Sequence, residues 1–221
     1  SVNVDLICGL PLQTPERFHR TLELVQELRP DRISLFSFAY LPEQLPMQRR
    51  IQAEDLPSQR QRLSMLEDAN QLLCANGYEA IGMDHYALQD DGLVKAAREG
   101  RLHRNFQGYT TGGELDLLGI GPSAISQFRH LFSQNERDLK AYGAALAQGQ
   151  LPVERGLVVT DPQVLQRREL IREVMCQFEV QLPPTGFEQE LADFKRLECD
   201  GLVGVSQGAD GSITVRVTTA G

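Results

Sequence analysis

The most chemically varied part of the sequence is LHRNFQGYTTGG, residues 102 to 113. Phe106 and Tyr109 offer flat apolar faces, Gln107 supplies both a donor and an acceptor, and the glycines permit close backbone approach. A basic cluster overlaps this segment, formed by Arg98, Arg101, His103 and Arg104. Guanidinium groups bind carboxylates and phosphates through paired hydrogen bonds. We therefore predict a site for a large ligand that is both apolar and anionic; the alternative is an ordered surface loop with a few core anchors.

The other titratable residues give weaker signals. His85 follows Asp84 at a predicted strand end, where it is either a hydrogen-bonded rim residue or a proton donor or polar contact for a bound substrate. None of the histidines has a spacing typical of zinc. The cysteines are also far apart, so we predict no metal ligands and expect buried free thiols in a reducing cytoplasm: Cys8, Cys74, Cys176 and Cys199.

Composition excludes several classes of protein. A hydrophobic content of 41% with mixed charge indicates a globular chain. The net charge of −8 argues against a general binder of nucleic acid or of an anionic membrane, since either needs a basic face. The sequence has no apolar run long enough to span a membrane and no visible signal peptide. We expect a cytoplasmic monomer.

The first part of the chain alternates between predicted strands and helices. VNVDLIC, RISLFSFAY and YEAIGMDHYA have the apolar, β-branched character of buried strands. Helices are predicted between them, one capped by Thr14 and one opened by a capping box of Ser58 and Gln61, with Gly77 at its C-terminal end. This order predicts right-handed crossovers and a parallel sheet. Ligand-binding groups would then follow the strand ends, at CGLP, FAYLP and MDHYA.

The rest of the chain is predicted to be more mixed. LDLLGIGPSAIS is an apolar strand and turn, and its glycine pattern is too incomplete for a nucleotide-binding loop. A capping box of Ser133 and Glu136 would begin a helix that ends near Gly149. After about residue 160 we predict two helices and a β-hairpin with the turn ADGS, which together make a small winged-helix-like domain. This segment has no basic stripe that would suit DNA.

Five segments resemble a known family when taken in order and with their gaps: VNVDLICGLPLQT, FSFAYLP, IGMDHYA, LHRNFQGYTTGG and LDLLGIGPSAIS. Together they resemble the oxygen-independent coproporphyrinogen III oxidases, which are radical S-adenosylmethionine (SAM) enzymes of haem biosynthesis. The resemblance covers essentially the whole chain. HRNFQGYTT is its most specific part, and it favours the true oxidases over their haem-chaperone-like relatives.

The resemblance implies an α/β fold. Residues 1–155 would be the second half of a partial (β/α)6 radical-SAM barrel with a substrate-covering segment, and residues 156–221 a truncated C-terminal α+β winged-helix-like domain. The family holds a [4Fe–4S] cluster on a CxxxCxxC motif, which this sequence lacks. Because the chain opens directly into a predicted strand, we expect a fragment whose cluster ligands lie upstream of Ser1 and which is inactive alone.

The implied reaction is the oxidative decarboxylation of two propionates of coproporphyrinogen III to vinyl groups, which gives protoporphyrinogen IX. The electron donor and acceptor are not implied, and no residue is assigned a catalytic role. By match to the family, five residues contact SAM or lie near a second SAM or the substrate: Asp5, Ala39, Phe106, Gln107 and Ile125. Our own inference adds contacts to the tetrapyrrole substrate: His85, Arg98, Arg101, His103, Arg104 and Tyr109.

Two alternatives stay open at this point. One is a haem-chaperone-like radical SAM relative, and the other is a porphyrin- or haem-binding module without enzymatic activity. Cys8 stands where the family resemblance leads us to expect an aromatic residue, so the wall of the site there is open to remodelling.

Overall fold

The computed structural model describes residues 1–113, 115–208 and 211–218. The chain forms two compact units, residues 1–101 and 102–221. The domain boundary predicted between residues 155 and 156 falls inside a strand, Val153–Val158, and the division into residues 1–155 and 156–221 stays a prediction. The predicted turn ADGS includes Ala209 and Asp210, which lie outside the described residues.

The first unit is a four-stranded sheet with helices. Its strands are β1 (Asn3–Cys8), β2 (Arg32–Ser37), β3 (Tyr78–Gly82) and β4 (His85–Leu88). Its helices are α1 (Pro15–Leu28), α2 (Gln59–Ala75) and α3 (Gly92–Arg98). Two short 3-10 turns, Pro46–Arg50 and Ala53–Asp55, lie in the connection between β2 and α2.

The sheet order corrects one prediction. β1 and β2 are parallel as predicted, but YEAIGMDHYA is not a single strand. It forms a hairpin of β3 and β4, and β4 lies antiparallel between β2 and β3. The chain reverses at Met83, whose φ of 44° is left-handed, and the amide of Leu35 donates to the carbonyl of Asp84 at 2.6 Å. MDHYA is therefore a turn and the start of a return strand, because this backbone reversal interrupts the apolar run.

The helix caps of the first unit are the ones predicted from the sequence. The hydroxyl of Thr14 accepts from the amide of Arg17, and Ser58 and Gln61 form the predicted capping box. Gly77 follows α2 with a φ of 89°, which suits glycine. Cys8, Ile33 and Leu35 of the sheet belong to the buried core. The same core includes Phe18 and Leu22 of α1 and Leu73 of α2.

The described residues of the second unit form three small sheets and three helices. Its strands are β5 (His103–Asn105), β6 (Gly108–Thr110), β7 (Ile125–Gln127), β8 (Leu131–Asn135), β9 (Val153–Val158), β10 (Glu179–Leu182), β11 (Val203–Gln207) and β12 (Ile213–Val217). Its helices are α4 (Leu139–Ala147), α5 (Pro162–Gln177) and α6 (Glu188–Cys199). The strands pair as β5–β6, β7–β8–β9 and β10–β12–β11.

The predicted capping box at Ser133 is wrong. Ser133 lies inside β8, where it pairs with Ser126 on one side and Gly156 on the other. Helix α4 begins later, because the carboxylate of Asp138 accepts from the amides of Lys140 and Ala141. The strand ladder satisfies the backbone around Ser133, and Asp138 supplies the cap.

Two expectations about the surface of the chain are tested directly. All four cysteines are free, but only Cys8 and Cys176 are buried, so the prediction of buried thiols is wrong for Cys74 and Cys199. Both exposed cysteines lie on helices, at positions that the core does not use. Among the described residues, no helix combines the length and the apolar character needed to cross a membrane.

Candidate functional site

The first unit presents a row of polar side chains on one face of its sheet. Asp5 on β1 lies opposite Ser34 on β2, and Ser34 lies opposite His85 on β4. Laterally paired residues point to the same face, so the three side chains are neighbours. The ring of Phe36 meets His85 edge to face, with centroids 6.1 Å apart. Asp5 is exposed on this face, and its carboxylate accepts from the amide group of Asn3 at 2.6 Å.

The loops that follow β1 and β2 are held by glutamine side chains. The amide oxygen of Gln13 accepts from the backbone N–H of Gly9 at 2.6 Å, and its nitrogen donates to the carbonyl of Ile7. Gln48 donates to the carbonyl of Ala39 at 2.9 Å. Ala39 is exposed just after β2. These two strand exits are thus fixed by bonds within the first unit.

Two of the predicted substrate arginines already have acidic partners. Arg98 donates to Glu79 at 2.6 Å, and the Nε of Arg101 donates to Glu99 at 2.9 Å. Both arginines are more than half exposed. Exposed ion pairs of this kind contribute little to stability, so a ligand carboxylate can replace Glu79 at Arg98 or Glu99 at Arg101.

The second unit places the central part of HRNFQGYTT on a tight hairpin. β5 and β6 pair in antiparallel register, and Phe106 and Gln107 form the exposed tip. The side chain of Asn105 accepts from the amide of Gln107 at 2.8 Å, which closes the turn. Tyr109 is buried, and its hydroxyl donates to the carbonyl of Met175 on α5 at 2.8 Å.

His103 is packed against a glycine. A Cβ atom added to Gly113 would overlap the imidazole ring of His103. The sequence predicted that glycines here allow close approach, and at Gly113 the approaching group is this ring. The imidazole therefore packs against the backbone at Gly113, which follows the hairpin in the sequence.

A cleft of about 1220 Å³ lies next to the hairpin. Its walls come from the hairpin, the β7–β8 turn and α5, all in the second unit. Three predicted residues line it, His103, Arg104 and Phe106, whereas Gln107 and Tyr109 do not. The remaining predicted contacts belong to the first unit or, in the case of Ile125, to strand β7.

The cleft also contains cationic residues that the sequence analysis did not single out: Arg129, His130, Arg168 and Arg172. Arg129 and His130 lie in the β7–β8 turn, and the two arginines of α5 are four residues apart. Residues at that spacing share one face of a helix, which is the one sequence signal that would have grouped Arg168 with Arg172. Nothing in the sequence connects either pair to HRNFQGYTT.

Aromatic rings connect the walls of this cleft. Phe106 meets Phe132 on β8 edge to face, with centroids 5.9 Å apart. The guanidinium of Arg168 lies over the same Phe132 ring, 5.2 Å from its centroid. Arg104 lies over the ring of Tyr109 at 5.7 Å. Such contacts favour guanidinium groups held flat against the ring, with their N–H edges available to a ligand.

Ile125 lies where a glycine loop contacts β7. A Cβ atom on Gly119 would be 2.7 Å from the carbonyl oxygen of Ile125, so only glycine allows this approach. The buried side chain of Asn135 donates to the carbonyls of Gly119 and Gly121, and the hydroxyl of Ser126 accepts from the amide of Gly119. This network fixes the backbone on which Ile125 sits.

Metal ligands do not converge in the described part of the chain. Within residues 1–113, 115–208 and 211–218, no group of three His, Cys, Asp or Glu side chains could hold a metal ion. Burial raises the pKa of the Cys8 thiol, against the effect of the Arg62 guanidinium. Burial likewise raises the pKa of Cys176, against the nearby guanidinium groups of Arg172 and Arg104. A raised pKa disfavours the thiolate that a metal needs.

Comparisons with known proteins give one consistent relationship. No family model matches the chain. The chain is 45% identical over 98% of its length to the oxygen-independent coproporphyrinogen III oxidase of Pseudomonas aeruginosa, and 43% identical over 94% to that of Escherichia coli. These matches cover 50% and 47% of the two relatives, so the chain spans about half their length.

A solved structure agrees with the sequence comparison. The structure of coproporphyrinogen III oxidase (HemN) from Escherichia coli, described as a radical SAM enzyme, has a TM-score of 0.87 to this chain at 42% identity. The match covers 99% of this chain and 51% of the solved one. The expected α/β content agrees with this likeness. The chain thus belongs to the oxygen-independent coproporphyrinogen III oxidase family.

Proposed function

We propose that the intact protein is an oxygen-independent coproporphyrinogen III oxidase, which converts two propionates of coproporphyrinogen III to vinyl groups. The observation that carries this proposal is the 45% identity to an oxidase of that name over 98% of the chain. Phe106 and Gln107 are exposed at the tip of the hairpin. Their exposure supports a ligand-binding role for the motif HRNFQGYTT.

The finer fold assignment is part of the same proposal. A parallel β1–β2 pair joined by α1 is one unit of a (β/α) barrel, which supports the second half of a partial (β/α)6 barrel. Helices α5 and α6 with the sheet β10–β12–β11 support a winged-helix-like C-terminal domain. We also propose a cytoplasmic monomer, in keeping with the acidic charge of the chain.

Several residues of this chain fit SAM. The exposed carboxylate of Asp5 can accept hydrogen bonds from ribose hydroxyls or an ammonium group, and Ala39 and Ile125 can provide apolar walls. Phe106 offers a ring face to an adenine, and Gln107 offers a donor and an acceptor beside it. SAM, when bound beside a reduced cluster, supplies a carbon radical that removes hydrogen from the substrate.

The [4Fe–4S] cluster does not fit the residues described here. Cys8 and Cys176 are buried, Cys74 and Cys199 are exposed on separate helices, and no metal-binding group forms among the described residues. We propose that the cluster is held by residues outside this chain. The contributions of this chain are then to bind SAM, to hold the substrate and to exclude water.

The predicted substrate contacts remain proposals with unequal support. His103 and Arg104 line the cleft, and His85 belongs to the polar row of the first sheet. Arg98 and Arg101 would exchange their acidic partners for ligand carboxylates. Tyr109 is buried with its hydroxyl on Met175, so its contribution would be to hold the hairpin in place.

Substitution of the hairpin tip tests this function. Phe106→Ala and Gln107→Ala are made in the intact protein, with Gln150→Ala, an exposed glutamine outside the hairpin, as the control. SAM cleavage and substrate decarboxylation are measured separately under anaerobic conditions. We expect decarboxylation to fall by about tenfold or more in the tip variants, while the control keeps both activities. Full decarboxylation in both tip variants would contradict the assignment of the hairpin.

A further inference from the structure

The cleft beside the hairpin is cationic although the chain as a whole is acidic. Among the described residues, four arginines line it against two carboxylates, Asp116 and Glu169. The whole chain carries a net charge of −8, so this concentration of positive charge is local. Three separate elements supply the four arginines: Arg104 from β5, Arg129 from the β7–β8 turn, and Arg168 and Arg172 from α5.

Two of these arginines are held in place by neighbouring groups. Arg168 lies over Phe132 and donates to the carbonyl of Arg129 at 3.2 Å, which connects α5 to the β7–β8 turn. Arg172 donates to Glu169 at 2.8 Å, one turn along the same helix. Both side chains are half-buried. A guanidinium that is already held loses less conformational entropy when it binds a ligand.

The guanidinium groups keep hydrogen-bonding capacity for a ligand. Each carries five N–H donors, and the bonds described above use only a few of those on Arg168 and Arg172. The side chain of Arg129 is exposed and has no ion pair with any residue that the structure describes. The same holds for Arg104, whose described contact is with the Tyr109 ring.

The same cleft has an apolar wall that suits a flat ring. Phe106 and Phe132 are perpendicular neighbours, and Phe106 is 59% exposed. Ile171 on α5 is 63% exposed between the two helix arginines. The volume of about 1220 Å³ exceeds the roughly 300–1,000 Å³ that is common for small-molecule sites, which favours a large ligand.

We propose that this cleft binds the carboxylates of a large flat-ring ligand, with Arg129, Arg168 and Arg172 joining Arg104 as the carboxylate-binding groups and Phe106 and Phe132 as the ring-binding face. In the intact protein it would hold propionate groups of the tetrapyrrole, and this identity of the ring rests on the proposed function. The preference for a polycarboxylate over a neutral or cationic ring depends on the cleft alone.

Binding of porphyrins to the intact protein tests this proposal without any need for catalysis. The probes are coproporphyrin III, which carries four carboxylates, and a tetracationic porphyrin with the same macrocycle, both followed by fluorescence. The variants are Arg129→Gln, Arg168→Gln and Arg172→Gln. The control is Arg155→Gln on β9, which contacts Gln134 and does not line the cleft. Thermal melting of each variant shows that it is folded.

We expect the Kd of coproporphyrin III to rise about tenfold, or about 1.4 kcal/mol, in each cleft variant and to stay unchanged in the control, because each cleft variant loses a charge-assisted hydrogen bond. The tetracationic ring should bind weakly throughout, and added salt should weaken only carboxylate binding. Unchanged coproporphyrin affinity in all three folded variants, or equal affinity for the cationic ring, would overturn the proposal.

Activity measurements separate this proposal from the proposed function. If the cleft variants keep coproporphyrin affinity while the unaltered protein decarboxylates its substrate, the cleft proposal fails and the oxidase assignment stands. If the variants lose affinity but the unaltered protein never decarboxylates, the oxidase assignment fails and the polycarboxylate site stands. If both hold, the variants should raise KM for the substrate with little change in kcat.

Discussion

The guanidinium of Arg168 lies over the ring of Phe132, 5.2 Å from its centroid. The edge-to-face contact of Phe106 with the same ring makes Phe132 the common neighbour of α5 and the hairpin tip. A residue of β8 therefore positions both a cation and a ring-binding group at one cleft. We expect Phe132→Leu to weaken coproporphyrin binding although this substitution removes no charged group. The reason is that the guanidinium of Arg168 loses the aromatic ring against which it packs. Equal affinity in this variant and the unaltered protein would contradict that role.

The hydroxyl of Tyr109 is expected to stabilise the hairpin on α5. Tyr109→Phe removes the hydroxyl that donates to the carbonyl of Met175 and keeps the buried ring. The expected loss is about 1 kcal/mol in the free energy of unfolding, with a further loss in Tyr109→Ala because that change leaves a cavity. Urea denaturation of the intact protein measures both. A Tyr109→Phe variant as stable as the unaltered protein would contradict a stabilising role for this hydroxyl.

Gly119 is expected to tolerate no side chain. Gly119→Ala would bring a Cβ atom to 2.7 Å from the carbonyl oxygen of Ile125 and should destabilise the second unit by about 1–3 kcal/mol. Gly143→Ala is the matched control, since it lies within α4 with nothing in the way of its Cβ. That change should raise stability by roughly 0.5–1 kcal/mol. Similar melting temperatures for the two variants would rule out the close approach.

His19 and Asp68 are expected to make stability depend on pH. Nδ1 of His19 lies 2.7 Å from the carboxylate of Asp68 on α2, and this hydrogen bond, with the charge of Asp68, raises the pKa of His19. A raised folded pKa means that the extra stability is fully present below the unfolded value, about 6.5, and is lost as the pH rises through the folded value.

The test compares the unaltered protein with His19→Gln at pH 5.5 and pH 9. The unaltered protein should be the more stable of the two at the lower pH, and the difference should shrink at the higher pH. Because the pair is about 40% exposed, added salt should reduce the effect. A difference that grows with rising pH would contradict the pairing.

Asp91 combines a helix cap with an ion pair. Burial disfavours its ionisation, but hydrogen bonds from Arg32 and from the amide of Leu93 outweigh this effect and lower its pKa. Its stabilising contribution is therefore present above the unfolded pKa, about 3.9, and is lost as the pH falls through the folded value. Asp91→Asn keeps the cap and removes the charge, whereas Asp91→Ala removes both. We expect Asp91→Ala to be the less stable variant by about 1 kcal/mol at pH 7; equal stabilities would mean that the cap contributes nothing.

Local signals in the sequence predicted much of the first unit. Thr14 and the Ser58–Gln61 pair were identified correctly because a cap depends on residues only a few positions apart. The same pattern failed at Ser133, since pairing with distant strands decided the conformation there. The turn at Met83 was missed although Gly82 directly precedes it, because we interpreted a single glycine between apolar residues as part of one continuous strand.

In the candidate site too, residues close in sequence were predicted and contacts between distant residues were not. Phe106, His103 and Arg104 were predicted because they lie together in one motif. Arg168 donates to the carbonyl of Arg129, which is 39 positions away in the sequence. No spacing pattern in the sequence predicts a contact over that distance. Only the fold brings the β7–β8 turn to α5.

The proposed function requires the intact protein to remove two carboxylates from coproporphyrinogen III with SAM. The most direct measurement is anaerobic incubation of the intact, reduced protein with coproporphyrinogen III, with and without SAM, followed by analysis of the tetrapyrrole products. We predict that protoporphyrinogen IX forms only when SAM is present, with two CO₂ released for each molecule. Unchanged substrate after SAM cleavage, together with tight stoichiometric binding of haem, would contradict the claim and favour a haem-binding relative.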